Sequence, residues 1–314
     1  MEFKKYLLLF LLFIISATPE LFSSAQGKNS GFSISPFFQE ITLEENQAGA
    51  DFYLEVENNK SYPAVFRIST VDFGALNQSG GVAFLGNSED FSQKYGLSSW
   101  MNLEKDAIVI NPGETQEIKV SLENRKALSP GGHYGAVLFK MEENGNKQNE
   151  EADSVSLNPS FASLVFLRKL GGEIYGLNLK NYELKHNPFS FSNELSLSFQ
   201  NSGNVHITPR GTVKIFDPLG REVKKGIING ASGIILPESS RFFSLTLKNK
   251  AFIFIPGYYR LAIDYRYNGS DDSLARNEKF LIIPAPFIAF ISALGIILVG
   301  YLKFRKRKNE KKTF

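Results

Sequence analysis

The chain has 314 residues, 43% of them hydrophobic and 13% aromatic, with a formal charge of +3 and no cysteine. The lack of cysteine excludes a disulfide framework, thiol catalysis and thiolate metal sites, so any exported part must be held together by core burial. The length allows two ordinary domains beside terminal segments.

The N-terminus, MEFKKYLLLFLLFIISATPELFSSAQG, sets Lys4 and Lys5 before an apolar run at 6–17 and small residues at Ser23, Ser24 and Ala25. This layout predicts a signal peptide over 1–25, with Gln26 as the first mature residue. The run is shorter than the ~20 apolar residues that a spanning helix needs.

From residue 26 onward there is no long amphipathic helical pattern. Short runs separated by Gly, Pro, Asn and Ser alternate apolar and polar residues: DFYLEVEN (51–58), AVFRIST (64–70), EIKVSLE (117–123), YGAVLFKM (134–141), ELSLSFQN (194–201), GTVKIFD (211–217) and RLAIDYRY (260–267). A period of two marks half-buried strands, and many such strands with regular turns predict an all-β sandwich protein. The order of elements is written twice. LSPGGHYGAVLF (128–139) returns as FIPGYYRLAIDY (254–265), about 125 residues later. Pro112 lies 18 residues before Pro130, and Pro237 lies 19 before Pro256. Upstream, VENNKSYPAVFRIS (56–69) matches FQNSGNVHITPRGTVKIF (199–216). Two copies of one order predict two tandem immunoglobulin-like β-sandwich domains, at 26–170 and 171–280. The polar stretch at 142–154 reads as an exposed loop, 161–168 as the last strand of domain one, and Gly171-Gly172 as the hinge.

In both copies a Pro-Gly turn precedes a strand that opens with tyrosine: Pro130, Gly131 and Tyr134, then Pro256, Gly257 and Tyr259. Such a tyrosine resembles the corner tyrosine of immunoglobulin-like folds, whose hydroxyl bonds back to nearby backbone. The strand after Tyr259 has one wet face, formed by Arg260, Asp264 and Arg266. The strand after Tyr134 is dry on both faces and needs a cover. The extra sequence of domain one, an insertion at about 71–105, supplies Phe73, Phe84, Phe91, Tyr95 and Trp100. It is expected to form that lid, with a helical turn at 88–95 capped by Ser88; the other reading of its aromatics is a ligand platform.

Residues 281–302, from Leu281 to Leu302, are 22 without a charge, a helix about 33 Å long, and Pro284 and Pro286 fall in its first turn. The following tail, 303–314, carries seven Lys/Arg against one Glu. The prediction is one transmembrane helix with its basic tail cytoplasmic. Residues 26–302 then carry a net charge of −3, so the exported part has no nucleic-acid footprint.

No HExxH, GxSxG or phosphate-loop pattern occurs, and the three histidines are scattered. No catalytic residue, cofactor or metal site is expected. Asp271-Asp272 at a hairpin tip lacks the spacing of a calcium loop. His133, beside Tyr134, is read as an exposed turn histidine. Candidate ligand contacts are Trp100, Tyr95, Phe91 and His133.

GFSISPFFQE (31–40), SSWM (98–101), the NPGE turn (111–114) and PGGHYGAVLF (130–139), in this order behind an export signal, resemble the peptidoglycan-binding domain of bacterial WxL-interacting surface proteins. In that family a second sandwich, one span and a basic tail follow. The resemblance implies a non-enzymatic protein anchored at the cell membrane that binds cell-wall peptidoglycan or another surface protein. Three rivals stay open: an assembly factor that caps a strand of an exported client by β-augmentation, a wall hydrolase, and a stalk without ligand.

Overall fold

The computed structural model describes residues 31–85, 94–124, 129–142, 160–267, 270 and 273–310. The signal peptide, the turn capped by Ser88, Phe91, most of the polar loop and Asp271-Asp272 lie outside the described residues.

Ten strands build an N-terminal sandwich: β1 (Phe32–Ser35), β2 (Phe38–Leu43), β3 (Gly49–Asn58), β4 (Ala64–Leu76), β5 (Gly81–Phe84), β6 (Met101–Leu103), β7 (Ala107–Ile110), β8 (Thr115–Glu123), β9 (Gly131–Met141) and β10 (Ser160–Lys169). One sheet has the order β1-β3-β8-β6; the other has the order β2-β10-β9-β4-β5, with β7 also on β4. β2 and β10 run parallel, with Leu164 opposite Phe38. Eight strands build the C-terminal sandwich: β11 (Leu177–Asn187), β12 (Ser190–Asn201), β13 (Pro209–Phe216), β14 (Glu222–Ile228), β15 (Ser240–Thr246), β16 (Lys248–Asn249), β17 (Gly257–Tyr267) and β18 (Leu274–Ile282). Their sheets are β11-β12-β15 and β16-β14-β13-β17-β18.

Each sandwich closes on its own core, because alternate residues of both sheets point inward. In β3, Phe52, Leu54 and Val56 are buried between exposed neighbours. In β17, Tyr259, Leu261, Ile263 and Tyr265 are buried on one face while Arg266 stays exposed on the other. Burying one such side chain stabilises by about 1.5–3 kcal/mol.

The repeat extends to individual hydrogen bonds. Asn58 and Asn201 are both fully buried. Asn58 Nδ2 donates to the carbonyls of Tyr62 and Ile110, each at 2.9 Å, and its Oδ1 accepts from Lys60 N. Asn201 Nδ2 donates to Val205 O at 2.7 Å and Ile235 O at 3.0 Å, and its Oδ1 accepts from Gly203 N. The Pro-Gly pairs also match: Gly131 and Gly257 have φ of 121° and 141°, a region that disfavours any side chain.

The chain leaves the C-terminal sandwich through α1 (Ala285–Glu310), which is long and apolar enough to cross a membrane. It starts later than the sequence implies. Leu281 and Ile282 still pair with Tyr258 and Gly257 in the sheet, so the helix begins behind Pro284 and not at Leu281.

Candidate interaction sites at the sandwich junction and an open strand edge

Strand β9 is buried along both faces from Gly131 to Val137. Its inner face, with Val137 and Phe139, joins the N-terminal core together with Leu97 and Met101 of the insertion. Gly135 leaves room for them, because a Cβ there would lie 2.7 Å from Met101 Cε and 3.2 Å from Leu97 Cβ. Its outer face, with Tyr134 and Ala136, packs in a separate cluster with Phe73, Phe166 and Leu236, flanked by Val82, Tyr95 and Ile234. The expected lid is therefore a correction: the insertion covers only part of that face, and 234–236 of the C-terminal sandwich cover the rest. Pairing of Phe73 with Phe84 makes 71–84 an extension of the sheet by β4 and β5.

Hydrogen bonds fasten this junction. Gly132 N donates to Asn204 O at 2.8 Å. Asn204 Nδ2 donates to Gly172 O at 2.9 Å, and its Oδ1 accepts from Ile174 N at 2.7 Å, so the Gly171-Gly172 connection is stitched to the second sandwich. Tyr95 Oη donates to Glu238 Oε1 at 2.8 Å.

The two corner tyrosines diverge. Tyr259 Oη donates to Ile255 O at 2.7 Å, the expected bond to nearby backbone. Tyr134 does not: its hydroxyl reaches His206 Nδ1, 3.3 Å away in the other sandwich. His206 Nε2 lies 3.0 Å from Glu40 Oε1, and Arg168 donates to the same oxygen at 3.0 Å. The His206 hydrogen bond holds the Glu40 carboxyl below its ordinary value, aided by Arg168 and opposed by partial desolvation. Hydroxyl, imidazole and carboxylate in line have the layout of a catalytic relay. Tyr134 and His206 are each 1% exposed and burial pushes the Tyr134 phenol well above its ordinary value, so the line fastens the junction.

Of the candidate ligand contacts, the three described residues, His133, Tyr95 and Trp100, are buried or half-buried. His133 is 3% exposed, which corrects its reading as an exposed turn residue. Its Nε2 lies 2.8 Å from Ser129 O and its Nδ1 3.2 Å from Gly96 O. Tyr95 is half-buried in the junction, and Trp100 packs half-buried against the N-terminal core. The segment that carries them is pinned by Asp72, buried at 1% exposure, whose Oδ1 accepts from Leu97 N at 2.7 Å and Ser98 N at 2.6 Å. Gly131 and Gly257, expected in turns, are the first residues of β9 and β17, directly after Pro130 and Pro256. Among the described residues no three His, Asp or Glu side chains gather as metal ligands.

His133 gives the fold a dependence on pH. Burial outweighs its two carbonyl neighbours and lowers its pKa from 6.5. A lowered folded-state pKa means that the contribution is complete above about pH 6.5 and is lost as pH falls toward the folded value. Urea midpoints of the wild type are expected to fall from pH 7 to pH 5, with a flatter profile for His133→Gln; equal slopes would refute this origin.

The remaining candidate lies on the C-terminal sandwich, where the edges of its two sheets meet. β15 is an edge strand paired only with β12, and Ser196 Oγ and Ser244 Oγ face each other at 3.5 Å. Phe242 N donates away from β12, to Gln78 O at 2.9 Å. By alternation the amides of Ser244 and Thr246 point the same way, outward. Opposite lies β14, whose outer edge pairs with β16 only at Lys224 and Lys225. Gly226 lets the edges approach, since a Cβ there would lie 2.4 Å from Leu245 Cδ1. Between the edges runs an open groove of about 630 Å³. Ile227, 67% exposed, and Phe242, 53% exposed, supply apolar surface; Lys225, Lys248, Lys250 and Arg241 supply charge, and no acidic residue lines it among the described residues.

Sequence reasoning missed His206, Asn204, Glu40 and this groove. The copy alignment carried one usable signal: SGNVH follows Asn201 where NKSYP follows Asn58, so the second copy alone places a histidine there.

No family model matches the chain, and neither does any curated protein. Among solved structures it is similar to the class 5 fimbriae chaperone CfaA, at 15% identity and a TM-score of 0.42 over 81% of this chain and 100% of that one. It is also similar to the YadV chaperone, at 13% identity and 0.36 over 79% and 99%. For the E. coli chaperone DraB the values are 13% and 0.34 over 78% and 98%. At these scores the likeness carries no function from those proteins to this chain.

Proposed function

We propose that the chain is a non-enzymatic scaffold of two immunoglobulin-like sandwiches, anchored by α1 with its basic tail in the cytoplasm, that captures an extended segment of another exported protein by strand addition. The observation that carries this reading is the groove between β14 and β15. An unpaired edge offers amides and carbonyls to an incoming strand, and flanking pockets read its alternate side chains. Ile227 and Phe242 suit apolar residues, and the three lysines suit acidic ones, so the fitting segment alternates apolar and acidic residues. The reading that follows from the resemblance to WxL-interacting surface proteins, wall-glycan binding through the aromatics of domain one, has less support, because Tyr95, Trp100 and His133 are occupied by internal packing.

The test uses the full chain in lipid nanodiscs, with a labelled peptide of alternating Val and Glu as probe and the Ser244→Pro variant as control. The Ser244 amide points out of the sheet, so proline there leaves the β12 pairing intact and removes a donor from the open edge. Binding is expected to weaken at least about tenfold, or 1.4 kcal/mol, in the variant, and to weaken with added salt in the wild type. Equal binding by both proteins, or none by either, overturns the proposal. Pelleting of the chain with isolated cell-wall sacculi would put glycan first.

A further inference from the structure

The end of the C-terminal sandwich remote from the junction carries exposed apolar side chains around the root of α1. Pairing of β13 with β17 sets Phe216 opposite Arg260, so the β13–β14 turn lies where β17 begins, and there Gly257 pairs with Ile282 just before α1. The β11–β12 turn reaches the same end, where Pro188 O accepts from Ile283 N at 2.7 Å. The connection from β16 to β17 returns there too: the Phe254 ring lies 5.8 Å from that of Phe287 and 5.9 Å from that of Phe290, both on α1. Each of these three connections shows an apolar side chain to solvent: Phe189 at 51% exposure, Leu219 at 70% and Phe252 at 69%.

The helix fixes their depth. The apolar part of α1, from Ala285 to Leu302, is about 27 Å long, close to the ~30 Å hydrocarbon core. With that part in the core, Phe290 sits about 7 Å below its outer edge. A ring packed against Phe290 is then inside the bilayer boundary, and Phe252 stacks on Phe254 with ring centres 6.3 Å apart.

We propose that the base of the C-terminal sandwich is itself a membrane contact: Phe189, Leu219, Phe252 and Phe254 enter the outer boundary of a phospholipid bilayer around α1. This rests on the reading of α1 as a span. The sandwich then stands on the membrane on a collar of side chains and does not swing from a tether. Aromatic side chains favour this boundary, and Lys250 beside Phe252 meets anionic headgroups.

The sequence has no cysteine, so single thiols label cleanly. Full-length Phe252→Cys, Leu219→Cys, Leu294→Cys and Tyr53→Cys, each carrying an environment-sensitive fluorophore, are reconstituted into phosphatidylcholine–phosphatidylglycerol vesicles with or without lipid brominated in the upper acyl chain. Loss of intensity is expected at 252, 219 and 294 and not at 53. If only 294 is quenched, the collar is overturned and the span stands. If 294 is not quenched either, α1 is not in the bilayer and both fail.

Discussion

Asn58→Ala and Asn201→Ala are each expected to destabilise their own sandwich by about 3 kcal/mol, with nearly equal effects. Each substitution removes two side-chain bonds to backbone carbonyls and one from a backbone amide: at Asn58 the bond to Ile110 O is buried and those with Tyr62 O and Lys60 N are part-buried, while at Asn201 all three are buried and Ile235 O keeps its bond from Ile207 N. A buried polar group left unpaired costs about 1–3 kcal/mol. The partners correspond one to one, Tyr62 and Ile110 in the first sandwich, Val205 and Ile235 in the second. Asp, which keeps the acceptor and loses the donor, is expected to rescue neither variant. Urea unfolding followed separately in each sandwich checks this. An effect below about 1 kcal/mol at either position would mean that water replaces the lost bonds and that the asparagines are not the shared fasteners.

Phe166→Ala is expected to cost about 3–5 kcal/mol, the range for emptying an aromatic site in a core. The ring is 5% exposed and touches Phe38, Phe73, Tyr134 and His206, so it supports both the sheet edge and the junction. The cavity should also loosen the coupling of the sandwiches, because Leu236 loses a neighbour in the same cluster. Calorimetry of the variant is expected to show two separated transitions where the wild type shows closer ones. A simple downward shift with unchanged separation would confine Phe166 to the stability of its own sandwich.

The strands were legible because period-two alternation is a local consequence of one buried face. Each of the seven runs quoted from the sequence falls in a strand, with ends moved by a few residues. The dryness of the strand after Tyr134 was legible too, and it correctly demanded a cover. The identity of the cover was not, since Leu236 is distant in sequence and packing partners leave no mark in a hydrophobic pattern. Tyr134 shows the same limit: its motif matches that of Tyr259, but a histidine 72 positions away takes its hydroxyl. An open edge is equally silent, because β15 reads like any strand and only the absence of a neighbour beyond it makes a groove. At α1 the apolar run begins before the helix does, as β pairing holds Leu281 and Ile282.

The shared outer face at the junction has a bearing on biogenesis. A chain made N-terminus first delivers β9 and β10 well before 234–236. During that interval Tyr134, Ala136 and Phe166 form a sticky surface covered only in part by the insertion, on a sandwich otherwise able to close. Slow emergence of the second half therefore prolongs a window for self-association, and truncation after Gly172 makes that window permanent. Isolated N-terminal halves should aggregate even where their own core is complete, and yield should depend more on the speed of synthesis than on the stability of the finished protein.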